Sequence, residues 1–268
     1  MRKFLYLFAA LMLCGCVGQK DDPDDLEPDS QVPVVPVEPE TGSHFFRRAL
    51  VLEFTATWCP YCPNMADALE EAKRKRPDRF VEVAVHYSDV LAAAESNTIV
   101  DVLKVSAYPT VFFDWDEGTR FTRQEPELMT AYIDGLLAAQ EEACGISVCS
   151  ETKDGELQVS VSMTAVAEGS YSLVAALVED DIRVTQSGAG ANYPCNAVLR
   201  SFLDPGLAGK PTGMLKAGES YTATFLAKVP EDGTKMRVVA YVLCDGLARN
   251  VATCKLDGQS EYAYEKDN

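Results

Sequence analysis

An α/β domain followed by an all-β antiparallel sandwich is the architecture the sequence predicts, and three patterns predict it. Up to residue 143, short apolar runs alternate with segments of helical spacing, the alternation that packs helices on a sheet. From residue 144 onward the apolar period changes to two and the helical signals cease. Ahead of both lies a stretch with Pro23, Pro28, Pro33, Pro36 and Pro39 and with acids outnumbering the single Lys20, a composition unable to bury a core. The chain has 268 residues, enough for two cores once that stretch and a leader are set aside.

Residues 1–15 read as the leader. Arg2 and Lys3 precede an apolar run from Phe4 to Leu13, which is too short to span a bilayer and fits a secretory signal. Leu13-Cys14-Gly15-Cys16 resembles the lipobox of bacterial lipoproteins. That resemblance implies cleavage before Cys16 and acylation of Cys16, which would anchor the protein to a membrane. Residues 16–43 then form an acidic, Pro-rich tether that charge and proline extend. Lys20-Asp21-Asp22 is similar to the acidic signal that sends lipoproteins of some Gram-negative lineages to the cell surface; plain linker charge is the other reading.

The first domain spans residues 44–143. Ala49-Leu-Val-Leu-Glu-Phe-Thr55 reads as a buried strand. Asn64 to Arg76 sets Met65, Ala68, Leu69 and Ala72 three and four apart, an amphipathic helix. Its acids come early and Lys73 to Arg76 come late, which complements the helix dipole before Pro77 closes the segment. Phe80 to Tyr87 is a second strand, Leu91 to Val105 a second helix, and Pro109 to Asp114 a third strand. Thr119 to Thr122 returns across an Asp116-Glu117-Gly118 turn. Pro126 to Glu142 closes the domain as a helix with a stripe of Leu128, Met129, Tyr132, Ile133, Leu136 and Leu137. Gly135 inside it costs about 1 kcal/mol, so packing must hold that helix.

Between the first strand and the first helix lies Trp58-Cys59-Pro60-Tyr61-Cys62. Two cysteines separated by two residues can close a small, reversible disulfide that exchanges with other thiols. Only a thiolate attacks a disulfide, and the start of a helix supplies N–H donors and positive potential that favour it. Cys59 is therefore expected as the solvent-open nucleophile, with Cys62 one turn deeper as the resolving thiol. Glu53 is either a buried carboxyl of raised pKa that takes the proton from Cys62, or a carboxylate at the solvent end of its strand.

The element order, Trp58 before the first cysteine, and Tyr108-Pro109-Thr110 together resemble the thioredoxin superfamily over residues 44–143. The resemblance implies that Pro109 is cis and faces the disulfide, and that Glu53 stands where thioredoxins bury an Asp. It implies substrate contacts at Trp58, Tyr61, Tyr108 and Thr110, and no cofactor beyond the Cys59–Cys62 redox pair. Three features depart from that family. The dipeptide Pro60-Tyr61 looks more like glutaredoxins, Pro63 removes a donor from the first helical turn, and Asp67 replaces the kink proline.

The second domain spans residues 144–259. Glu156 to Met163 alternates strictly after the hairpin signal Asp154-Gly155, and Tyr171 to Glu179, Tyr221 to Val229 and Met236 to Leu243 are further strands. Asp245-Gly246 marks another turn, and residues 260–268 read as a tail. The full expectation is a thioredoxin-like α/β domain followed by an antiparallel, Ig-like sandwich. This layout on an acylated leader resembles the twenty-eight-kilodalton outer membrane protein family of thioredoxin-like lipoproteins. Asn196-Ala-Val-Leu-Arg200 resembles a stretch of that family's second domain, with Cys195 where the family has His. The resemblance implies the bacterial cell envelope, at the periplasmic face or surface of the outer membrane.

Nine cysteines beside a leader point to an oxidising compartment. Setting aside Cys14, Cys16, Cys59 and Cys62 leaves Cys144, Cys149, Cys195, Cys244 and Cys254, an odd number. Cys244 with Cys254 is the favoured structural bridge, because a strand-turn-strand reading brings them close; Cys144 and Cys149 are the remaining candidates. The net charge of −17 argues against nucleic-acid partners. A lone Cys-x-x-Cys with only His44 and His86 argues against a metal, His86 reads as structural, and Ser187-Gly-Ala-Gly-Ala191 as plain loop.

Two functions fit. One is a membrane-anchored, extracytoplasmic thiol–disulfide oxidoreductase acting on cysteine-containing exported proteins with an upstream redox donor or acceptor, its direction open. The other is a surface lipoprotein that binds protein or glycan on a thioredoxin-like scaffold and sandwich.

Overall fold

Strand β1 (Ala49–Thr55) is buried along its whole length, its apolar residues filling both faces and Glu53 buried among them. It is followed by α1 (Cys62–Lys75), β2 (Phe80–His86), α2 (Ser96–Val102), β3 (Thr110–Phe113), β4 (Asp116–Phe121) and α3 (Pro126–Ala139). The computed structural model describes residues 44–139, 144–229 and 233–265; Cys16, the leader and the tether lie outside the described residues. Strand β1 pairs parallel with β2 and antiparallel with β3, and β3 pairs antiparallel with β4. One face packs Leu50, Leu52 and Phe54 with Ile99 of α2, and the other packs Ala49 and Val51 with α1 and α3.

Three boundaries differ from the sequence reading. Helix α1 begins at Cys62 and takes Pro63 into its first turn, where a missing N–H leaves no bond unmade. Helix α2 is shorter than Leu91–Val105, because the Asp89 carboxylate accepts the Leu91 N–H and Leu91 packs with Cys195 and Val198 instead. The β3–β4 turn falls at Asp114-Trp115, both at positive φ, rather than at residues 116–118. Asp114 is held there by the Leu50 N–H and by a buried ion pair with Arg47 at 2.7 Å.

Past residue 144 come β5 (Gly145–Lys153), β6 (Glu156–Thr164), β7 (Gly169–Glu179), β8 (Ile182–Gln186), β9 (Gly190–Cys195), β10 (Val198–Phe202), β11 (Lys210–Leu215), β12 (Ser220–Lys228), β13 (Met236–Cys244), β14 (Leu247–Lys255) and β15 (Gln259–Ser260). The turns at Asp154-Gly155 and Asp245-Gly246 have both residues at positive φ, as the Asp-Gly signal requires. A sheet ordered β12-β6-β5-β15 packs Val159, Val161 and Phe225 against Leu173, Ala175, Val238 and Ala240 of β7 and β13.

The expected separation at residue 143 gives way to a shared sheet, ordered β14-β13-β7-β10-β2-β1-β3-β4. Strand β10 lies parallel to β2, and the Ala84 N–H donates to the Ala197 carbonyl at 2.7 Å. Val174, Ala176, Val178 and Tyr241 therefore join the same core as Leu50, Leu52 and Val83. Asn250 adds a polar tie: its amide donates to the carbonyls of Phe46 and Cys144, and its oxygen accepts the Arg48 N–H. Residues 260–265, expected as part of a tail, pair with the chain's beginning, where the Phe46 N–H donates to Ala263 and the Glu265 N–H to His44.

The structural bridges are corrected as well, since Cys144, Cys149, Cys195, Cys244 and Cys254 are all free thiols. Cys244 stands opposite Leu247 at the turn, whereas Cys254 stands opposite Val238 at the far end of the hairpin. At ~3.3 Å per residue that offset is about 20 Å, well beyond the Cα separation a disulfide spans. Cys144 and Cys149 bracket one extended run of β5, which likewise keeps them apart.

Candidate active site

The loop from β1 to α1 brings Cys59 and Cys62 together in a disulfide with Cα atoms 5.5 Å apart. Cys62 is the first residue of α1 and its N–H donates to the Cys59 carbonyl. The pleat and the β1–β2 register set Glu53, Thr55, Glu82, Ala84 and His86 on one face. With Cys62 they line a cavity of about 180 Å3 behind the disulfide.

Glu53 is 3 % exposed, so the alternative of a solvent-end carboxylate is excluded. Its Oε1 has no hydrogen-bond partner among the described residues. Burial raises its pKa well above the ordinary carboxylate value, and the charge and hydrogen bonding of Glu82 add to that, with Lys73 opposing. Glu82 is also raised by burial, against the attraction of Lys73, whose Nζ lies 3.5 Å from Glu82 Oε2. Both carboxyls near Cys62 therefore hold a proton more tightly than free carboxyls do. Sequence reasoning missed Glu82, although a lone acid inside Phe80-Val-Glu-Val-Ala-Val85 was the signal.

On the other side of the disulfide the Tyr108–Pro109 bond is cis. Tyr108 packs with Cys59 and Cys62, stacks on Tyr87 at 5.5 Å and meets the edge of Trp58 at 5.4 Å. Trp58 is 47 % exposed, its ring N–H donating to the Tyr87 carbonyl, and Tyr61 is 63 % exposed, so both present surface beside the pair. Thr110 does not. It is fully buried and its hydroxyl donates to the Ala107 carbonyl at 2.8 Å, which makes it a brace of the Pro109 loop rather than a substrate contact. Behind Trp58, His86 Nδ1 lies 2.8 Å from Asp89, whose carboxylate also accepts the Thr57 N–H at 2.7 Å. Burial works against the charge of Asp89, yet His86 and the two backbone donors hold its pKa below the usual value.

The expectation of a solvent-open Cys59 is overturned. Cys59 is 1 % and Cys62 2 % exposed: Ala56 and Tyr108 pack with them, and the β8–β9 hairpin of the second domain is bonded to the loop that carries them. The Gln186 amide donates to the carbonyls of Ala56 at 3.1 Å and Cys59 at 2.9 Å, and the Ser187 N–H donates to Thr57 at 2.8 Å. Gly188, at φ +83°, rests against Pro60 so closely that an added Cβ would collide with the Pro60 carbonyl oxygen. The segment read as plain loop is therefore part of the site. Cys195, at the end of β9, lines the same cavity as Cys62; burial and then the charge of Glu53 push its thiol up to about 11.

Residues 44–131 match the thioredoxin family model. Over 68 residues the chain is 35 % identical to Thioredoxin H3 of Arabidopsis thaliana, covering 25 % of this chain and 51 % of the plant protein. The chain thus spans about half the length of the curated relative it matches. Two solved structures are similar over both domains. HBP35 of Porphyromonas gingivalis has a TM-score of 0.71 at 17 % identity, covering 84 % of this chain and 79 % of its own. A protein of Agrobacterium tumefaciens has a TM-score of 0.53 at 15 % identity, covering 82 % of this chain and 96 % of its own. At such identities the likeness is one of fold. The chain is a thioredoxin-like α/β domain followed by a strand-rich antiparallel β domain, and its close cysteine pair supports thiol–disulfide redox chemistry.

Proposed function

We propose that the protein is a thiol–disulfide oxidoreductase of the bacterial cell envelope that exchanges disulfides with cysteine-containing exported proteins. The observation that carries this reading is the Cys59–Cys62 disulfide at the start of α1, set between a buried, protonatable Glu53 and cis Pro109. In the reduced protein the Cys59 thiolate attacks one sulfur of a partner disulfide. A Cys59–partner S–S bond forms, and the partner's other sulfur leaves as a thiolate that takes up a proton. The ionised Glu53 carboxylate then accepts the Cys62 proton, the Cys62 thiolate attacks Cys59, and the partner leaves carrying both electrons. Run in reverse, the same steps oxidise a dithiol. An upstream redox donor or acceptor resets the pair.

The leader, the lipobox ending at Cys16 and the acidic tether support a lipid-anchored, extracytoplasmic placement, and the resemblance to the twenty-eight-kilodalton outer membrane protein family points the same way. Among the described residues no helix is long and apolar enough to cross a membrane.

A second reading is favoured by the burial of Cys59: a surface binding protein in which the disulfide only staples the loop. Insulin reduction with dithiothreitol, together with Cys62→Ser on a non-reducing gel, separates the two. Catalysed insulin precipitation and mixed disulfides through Cys59 are expected. No acceleration and no adduct would favour the binder.

A further inference from the structure

The hairpin over the disulfide differs from the rest of the second domain in how it is held. Strands β8 and β9 form a two-stranded sheet of their own, outside the large sheet and the four-stranded sheet. Such a hairpin is marginal by itself. Its apolar support is small: partly buried Ile182, Val184 and Tyr193 pack on Leu91, Cys195 and Val198. Its base is closed by the Asp181 N–H on Asn196 and the Ala197 N–H on Asp180. At its tip, by contrast, the side chain of Gln186 is buried and its amide spans the Ala56 and Cys59 carbonyls. Most of what ties the tip down is therefore polar and lies directly on the redox loop. An element of this kind can open without exposing either main core.

We propose that the β8–β9 hairpin is a cover over Cys59, latched by Gln186, which an extended, cysteine-bearing segment of a partner protein displaces. The Ser187 N–H occupies the Thr57 carbonyl beside the disulfide, which is a contact an extended peptide can make in its place. Trp58 and Tyr61, exposed next to the hairpin tip, give that segment apolar surface to hold before Cys59 is reached. The cover thus sets specificity. Disulfides lying in segments that can pair as strands gain access, and those held rigidly in compact folds do not. This inference rests on the oxidoreductase reading for its purpose, but the cover can be tested apart from it.

The test reduces the full-length protein and follows iodoacetamide labelling of each cysteine by mass spectrometry. Exposed Cys149 is the internal reference. In the unmodified protein Cys59 should label at least about tenfold more slowly than Cys149. Gln186→Ala removes the latch, and Gly188→Ala places a methyl group against Pro60. Each should speed Cys59 labelling on the order of tenfold, equivalent to about 1.4 kcal/mol of lost closure, with melting little changed. Equal labelling of Cys59 and Cys149 in the unmodified protein would overturn the proposal, whether or not the variants fold. Folded variants that label Cys59 at the original rate would overturn it too. Variants that label fast yet leave insulin untouched would keep the cover and remove the oxidoreductase reading.

Discussion

Replacing Glu53 with Gln should stabilise the protein, and by more as pH rises. In the unfolded chain Glu53 and Glu82 titrate near the ordinary 4.5, whereas in the fold burial lifts both above it. The native state therefore holds protons that the unfolded state has released, so each carboxyl's contribution is complete below pH 4.5 and is lost as pH climbs through the folded value. The slope is about 1.4 kcal/mol per pH unit for one proton. Because Glu53 is almost wholly buried, solvent screening discounts little of it. The Glu53→Gln substitution would remove one such pH dependence. For a protein of this size, about 1.4 kcal/mol corresponds to roughly 3–6 °C in Tm. Melting of the oxidised protein at pH 5, 6 and 7 should show the variant's lead over the parent widening with pH, by at most about that much per unit. Parallel curves, or a lead that shrinks with pH, would refute the buried-proton argument.

Three further outcomes follow from the packing. Asp114→Ala leaves the Arg47 guanidinium buried without its counter-charge and should cost about 3–5 kcal/mol in denaturant unfolding; a loss under about 1 kcal/mol would contradict the ion pair's role. A chain ending at residue 143 bares the face of Leu50, Leu52, Phe54 and Val83 and the free edge of β2. It should bind ANS and self-associate on gel filtration, and a monomer with one sharp melt would contradict the shared sheet. Alkylation of the denatured, unreduced protein should modify Cys144, Cys149, Cys195, Cys244 and Cys254 and spare Cys59 and Cys62; a protected cysteine after residue 143 would reveal a bridge the structure lacks.

Local chemistry was legible where a few neighbouring residues carried it. The Cys-x-x-Cys turn between an apolar run and a helical one and the Asp-Gly hairpins follow from short-range rules, whereas cis Pro109 was implied by the resemblance to the thioredoxin superfamily. The union of the two domains was legible in principle. Strand β6 alternates polar and apolar because one of its faces meets solvent, but Leu173-Val-Ala-Ala-Leu-Val178 is apolar without interruption, the pattern of a strand buried on both faces. As one wall of a sandwich that run buries a single face, and its second face has nowhere to go except the first domain. Gln186 could not be found this way. It meets Cys59 across 127 residues of chain, and its burial comes from tertiary docking that no local period records. The same holds for the missing Cys244–Cys254 bridge, since proximity in sequence across a turn says nothing about where along the two strands each cysteine falls.

In an oxidoreductase Cys59 and Cys62 form an exchangeable couple rather than a permanent staple. Equilibrating the protein in a series of glutathione redox buffers and counting alkylated Cys59 and Cys62 by mass spectrometry tests this directly, because an equilibrium reading is blind to how slowly the hairpin opens. A reversible transition between about −120 and −270 mV is the predicted result. A pair that stays oxidised down to about −300 mV would mark a structural disulfide and contradict the account.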